Sequence, residues 1–179
     1  MMERRFFSKR NGRSVAFALA LLAAAPFASV PARAQLNEEA VEYQEHLGEY
    51  IPGDIMLRDE QGQTVALADV IDKPTILMMV YFECPGICTP LLNEVADILG
   101  KSHLDPTKQP FQLLAVSFEP NDTSEMARMK RANYLKLVGR PLPEETWRFM
   151  TAEQASIDRL AGAVGFRYMR AGSEYTHAG

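Results

Sequence analysis

Two strand-like segments, the continuous apolar run PTILMMVY at 74–81 and the largely apolar QPFQLLAVSF at 109–118, constrain this chain more than anything else in it. A run without polar alternation has no solvent face, so as a strand it must be covered on both sides. Each run is followed by a helical pattern. TPLLNEVADILG (89–100) places Leu91, Val95 and Leu99 at i, i+4 and i+8, with Thr89 as the expected N-cap and Pro90 at the first helical position. DTSEMARMKRANYLKLVG (122–139) opens with the D-x-x-E pair Asp122/Glu125 and stops at Gly139. The alternation continues with a short strand at 147–151, a helix over 151–165 opening on Thr151/Gln154 and ending at Gly165, and a last strand-like piece at 166–170. Strand and helix in this order predict an α/β fold with a central, mainly parallel sheet flanked by helices. Upstream, DIMLRDEQGQTVALADVI (54–71) reads as an N-terminal β-hairpin about the turn DEQGQ, then a short helical turn.

The first 34 residues are of another kind. A basic stretch, MMERRFFSKRNGR, precedes the apolar SVAFALALLAAAPFASV and the small-x-small site Ala32-Arg33-Ala34. This is the pattern of an export signal, and RRFFSK (Arg4 to Lys9) has the look of a twin-arginine one. An uncleaved anchor in the inner membrane is the competing reading, with about 17 apolar residues marginal for a span. Either way the folded part is expected outside the cytoplasm, in a periplasmic or other extracytoplasmic space. This segment holds six of the 19 basic and one of the 23 acidic residues, so the remainder carries 13 basic against 22 acidic, a net charge of −9. An acidic domain argues against nucleic acid as a partner. Residues 35–49, LNEEAVEYQEHLGE after Gln35, read as an acidic linker, and 50–179 as the domain.

Export makes the cysteines informative. Cys84 and Cys88, in YFECPGICTP, are the two cysteines of the chain, and they fall where the first buried strand gives way to a helix. That is the carboxyl edge of a parallel sheet, where such folds place their sites. A helix N-terminus there favours thiolate over thiol. On a helix, i and i+4 Cβ atoms lie roughly 5–6 Å apart, whereas a disulfide wants roughly 3.5–4.5 Å. The spacing leans toward a metal. A redox couple and a structural disulfide stay open, because Pro85 and Gly86 can make the turn irregular. A structural staple is the weakest of the three, since so short a loop gains little chain entropy. Two thiolates are a soft donor set suited to Cu(I), with a third ligand still to be found. His46 and His103 read as solvated surface residues. For Met78, Met79, Met126 and Met129 a copper–thioether path competes with core packing; core is the favoured reading, from their places in a buried strand and at helical spacing. Tyr81 and Phe82 are expected to shield the cysteines, and Trp147 to anchor its strand.

Several segments together resemble the Sco/SenC family of copper chaperones. KPTILMMVYFECPGICTPLLNEV is similar to that family's strand, C-P-x-x-C-P/T and helix. LLAVSFEPNDT resembles its second strand and V-S-x-D-P-x-x-D-T signature. NYLKLVGRPLPEETWRFMTAEQASIDRLAGAVGFRYM resembles its following helix, W-x-F-L-T-G strand and G-F-x-Y segment, and THAG its H-P/A-G site. The resemblance covers roughly residues 50–179 and implies a thioredoxin-like fold. It implies one copper ion, Cu(I) or Cu(II), held by Cys84, Cys88 and His177, with His177 supplied by the resemblance alone. It further implies delivery or maintenance of copper for the binuclear centre of cytochrome c oxidase subunit II, or another cuproprotein, with an upstream copper donor. Some members act instead as thiol–disulfide oxidoreductases that reduce a cuproprotein's cysteines, with Cys84 and Cys88 as the redox pair. The expected protein is therefore a metallochaperone more than an enzyme.

Three departures follow from the same resemblance. Gly86 stands where the family often has Asp between the cysteines, and Glu119 where it often has Asp in V-S-x-D-P. Glu119 and Asp122 are candidates for contacts behind the ligands or with a partner. Members also continue beyond the His-x-Gly with a strand hairpin and a terminal helix. Both are expected to be missing here, leaving a sheet edge uncovered and His177 with nothing to hold it.

Overall fold

The structure, a computed structural model, describes residues 41 and 43–177. The expected export or anchor segment, 1–34, lies outside them. Among the described residues the centre is a three-stranded parallel sheet in the order β3 (Thr75–Val80), β4 (Gln112–Ser117), β5 (Trp147–Met150). The register runs from Thr75↔Gln112 to Val80↔Ser117, and from Leu113↔Trp147 to Val116↔Met150. The crossovers are α2 (Cys88–Lys101) and α3 (Ser124–Val138), which pack on each other, with α3 also against β5. They approach closely at Gly100, where a Cβ would stand 2.6 Å from the Val138 carbonyl oxygen.

Burial follows position in the sheet. β4 lies between two strands and is buried at all six residues. β3 was expected to be covered on both faces, but it is an edge strand among the described residues. Its first half is open, with Ile76 57% exposed, and only Met78, Met79 and Val80 are buried. Trp147 opens β5 fully buried, with Tyr134 and Phe149 against its ring, as a strand anchor should.

The N-terminal hairpin forms as read, from β1 (Met56–Arg58) and β2 (Thr64–Ala66), followed by α1 (Leu67–Val70). It is tied to the end of β5 by two backbone hydrogen bonds between Arg58 and Thr151, at 2.7 and 3.0 Å. Thr151 is thus used by the sheet. Accordingly α4 (Gln154–Ala163) begins later than its capping pair suggested, with Glu153 at the N-cap. After α4, Gly165 adopts φ +66°, and a Cβ there would lie 1.7 Å from the Gln44 carbonyl oxygen. Glycine is required for both reasons. The Gln44 N–H donates to the Gly165 carbonyl (2.8 Å), and Tyr43 bridges Phe166. Part of the segment expected as a linker is therefore docked on the domain, from Tyr43 onward.

The last elements among the described residues form an antiparallel hairpin, β6 (Tyr168–Ala171) and β7 (Glu174–His177), with Tyr168 opposite His177. The last strand-like piece read at 166–170 thus has a partner that the sequence reading missed. His177 is held by strand pairing rather than left unsupported. No helix among the described residues is long and apolar enough to cross a membrane.

Candidate metal centre

The cysteine loop starts where β3 stops. The Phe118 N–H donates to the Val80 carbonyl (2.8 Å), joining the ends of β3 and β4. The chain then turns through Phe82 and Glu83, and Asp122 fixes the turn. Its Oδ2 accepts from the Phe82 N–H at 2.8 Å and from the Ser117 hydroxyl at 2.5 Å. Asp122 was expected to cap α3. That role belongs to Thr123, whose Oγ1 accepts from the Met126 N–H at 3.2 Å. Asp122 is buried instead. Burial pushes its pKa up, its two hydrogen bonds pull it down, and the carboxylates of Glu119 and Glu83 push it up again.

Cys84 sits in the irregular turn and Cys88 is the first residue of α2, so the two do not share a helical face. Ile87, not Thr89, is the N-cap. Pro90 falls at the third helical position, where a missing N–H still costs nothing because that donor has no intrahelical partner. The Gly86 N–H donates to Cys84 Sγ at 3.4 Å, and a Cβ on Gly86 would meet only that sulfur, at 3.9 Å. Both cysteines are free and buried.

The hairpin brings the third group. His177 Nε2 lies 3.8 Å from Cys88 Sγ, across 89 residues of sequence. Its ring is set edge-on to Phe118, with 5.3 Å between ring centres, and Tyr81 and Phe166 stand slightly farther off. Tyr175, two residues earlier on β7, donates its hydroxyl to Glu119 Oε2 at 2.8 Å and packs on Tyr81 and Phe118. Glu119 also accepts from the Asn121 N–H (2.9 Å) and side-chain amide (2.6 Å). Burial pushes the Glu119 carboxyl up, but the bonds from Asn121 and Tyr175 outweigh it and hold the pKa below its ordinary value. Glu119 thus ties the end of β4 to the strand carrying His177.

The three ligand atoms of Cys84, Cys88 and His177 lie within 4.8 Å of one another. Two metal–sulfur bonds of about 2.3 Å hold their sulfurs roughly 4 Å apart, so the cluster has the size for one ion. Two sulfurs and an imidazole suit copper chemically. His46 and His103 lie elsewhere. The His46 Nδ1–H donates to the Ala163 carbonyl (3.1 Å), and His103 is exposed.

The two thiols differ in acidity. Burial pushes Cys84 up, but hydrogen bonds from the Cys88 N–H and thiol, the Gly86 N–H and His177 outweigh it and bring the pKa down to about 7. Burial, together with the bond to Cys84 and its charge, pushes Cys88 up to about 12 against the pull of backbone hydrogen bonds. Tyr81 is pushed up to about 12, first by burial and then by its hydrogen bond to Cys84, so it stays a neutral phenol beside that sulfur. Shielding alone was expected of Tyr81. Of the four methionines assigned to the core, Met78 and Met79 are buried there, whereas Met126 is half-buried and Met129 is 51% exposed.

A mainly parallel sheet with a cysteine pair at its strand-to-helix corner and a histidine facing it defines a thioredoxin-like protein with a Cys-Cys-His site. The chain belongs to the SCO1/SenC family, whose sequence profile matches residues 44–175. Two solved structures from Aquifex aeolicus VF5 are similar. A putative electron transfer protein is 29% identical, with TM-score 0.60 and 73% of each chain covered. A putative electron transport protein is 30% identical, with TM-score 0.57, covering 70% of this chain and 75% of that one. Bradyrhizobium japonicum ScoI with copper bound shares the fold at 24% identity and TM-score 0.50, over 71% of this chain and 76% of that one. No functionally curated protein matches the chain.

Proposed function

We propose that this protein binds one copper ion between Cys84, Cys88 and His177 and passes it to a cuproprotein by ligand exchange. The observation that carries this reading is the convergence of two sulfurs and one imidazole nitrogen within 4.8 Å, from a loop, a helix start and a distant hairpin. A soft donor set near the protein surface suits Cu(I), and thiols or imidazoles of an acceptor can replace its members one at a time. The family resemblance and the copper-bound ScoI relative support copper as the cargo. The same resemblance favours the binuclear centre of cytochrome c oxidase subunit II as destination, with residues 1–34 directing export or anchoring the domain at the inner membrane. Binding needs both cysteines reduced, so a disulfide between them would release the ion.

Competition against a Cu(I) chelator tests the reading. One Cu(I) should bind per reduced chain, and Cys84→Ser, Cys88→Ser or His177→Ala should each weaken it by about tenfold or more. Unchanged affinity in either cysteine variant rejects the site.

The unequal thiols favour a second reading, an exported thiol–disulfide oxidoreductase acting on a cuproprotein's cysteines. A pKa of about 7 at Cys84 suits an attacking thiolate, and the buried Cys88 suits the resolving partner. Metal-free protein that reduces a disulfide in an apo cuproprotein, with the activity lost in Cys84→Ser, would establish it.

A further inference from the structure

We propose that Met126 and Met129 form an entry site for Cu(I), a thioether pair that receives the ion and passes it to Cys84. The inference rests on the copper reading above and adds a route into the centre. A groove of about 430 Å³ runs between the cysteine loop and α3, lined by Phe82, Glu83, Cys84, Met126, Met129 and Lys130 among others. The two methionines are three residues apart on α3 and share one face. Packing does not explain Met129, which is half exposed. Thioethers are soft donors selective for Cu(I), and they bind it without losing a proton.

Two further observations give the groove a direction. Glu83 and Met126 also border a neighbouring groove that carries the carboxylates of Glu119, Asp122 and Glu174. A cation is drawn to this side of the cysteine loop. Cys84 lines the methionine groove, whereas Cys88 and His177 line a separate apolar cavity of about 120 Å³ with Met78 and Met79. An ion entering by the groove therefore meets Cys84 first. Lys130 opposes a cation there, which keeps the entry site weaker than the centre it feeds, as onward transfer requires. The step is ligand exchange without electron transfer. Copper–thioether bonds break as copper–thiolate bonds form, and the protons still held by the Cys84 and Cys88 thiols pass to solvent.

The test measures loading rate and equilibrium affinity separately on the full reduced chain. Met126→Leu/Met129→Leu keeps side-chain size and helix propensity. Transfer of Cu(I) from a chelator complex should slow by about tenfold in this variant, while its final affinity stays within about twofold of wild type. In Cys84→Ser/Cys88→Ser, labelled at the methionine methyls, one equivalent of Ag(I) should shift the Met126 and Met129 resonances. Equal loading rates in variant and wild type overturn the entry site, as does the absence of those shifts. Slower loading with a matching loss of affinity also overturns it, because the methionines would then support the fold. A wild type that takes up no Cu(I) rejects the proposed function itself, and the entry site with it.

Discussion

Asp122→Ala should loosen the cysteine loop from the sheet, and the size of the effect follows from two hydrogen bonds. The substitution strands the buried Phe82 N–H and removes one partner of the Ser117 hydroxyl. Bonds to a charged group contribute roughly 1.5–3 kcal/mol each. Relief of a buried carboxylate offsets part of that, since burial is the first cause raising the Asp122 pKa. The expected net loss is about 2–4 kcal/mol. Asp122→Asn keeps one acceptor oxygen and should lose about 1 kcal/mol. Urea unfolding of the reduced, metal-free protein reads this directly, with the midpoint falling by about 1–2 M for the alanine variant. The pH dependence gives an independent check. A carboxyl whose folded pKa is raised binds its proton more tightly in the folded state, so its contribution to stability falls as pH rises from the unfolded value of 3.8 through the folded one. The stability difference between wild type and Asp122→Asn should therefore shrink over that window. A loss below about 0.5 kcal/mol in Asp122→Ala, or a difference independent of pH, would refute the reasoning.

Cys84 in the reduced, metal-free protein should be alkylated with a midpoint near pH 7, while Cys88 stays unreactive, as mass spectrometry after iodoacetamide would show. The depressed Cys84 pKa also contributes stability that is fully present above pH 9.0 and lost as pH falls through about 7. Gly165→Ala should cost about 2 kcal/mol or more by thermal unfolding, because the new methyl meets the Gln44 carbonyl and φ is positive. Gly86→Asp should fold normally, within about 0.5 kcal/mol of wild type, because only the Cys84 sulfur borders the added Cβ. It should also raise the Cys84 pKa in the alkylation assay, by adding a negative charge beside the thiolate.

The alternation of apolar runs and helical patterns was enough to place β3, α2, β4, α3, β5 and α4 in order, because each element carries its own periodicity. Whether a strand is central or at the edge depends on its neighbours, and the Thr75–Val80 run carries no trace of Ile76 being open. Asp122 stood in a good capping position by sequence. It turns away from the helix because the stranded Phe82 N–H, 40 residues earlier, competes for its carboxylate and Thr123 can cap in its place. Glu174 to His177 gave too short a pattern to read as a strand, so the pairing that seats His177 was invisible. The cysteine pair was legible as a site from its strand-to-helix corner. The histidine was legible only through resemblance, since no local spacing relates residue 177 to residue 88.

The hairpin carrying His177 has two four-residue strands, pinned to the rest of the domain through aromatic contacts and the Tyr175–Glu119 hydrogen bond. Any ion held by all three ligands closes a loop of 89 residues, and so acts as a removable cross-link between the β6–β7 hairpin and the sheet. Its grip and the hairpin's docking are then one equilibrium. Metal should slow amide exchange in β6 and β7, and transient undocking of the hairpin should set how fast the third ligand lets go. Release of the ion would be governed by how often this flap opens, with the cysteine loop left undisturbed.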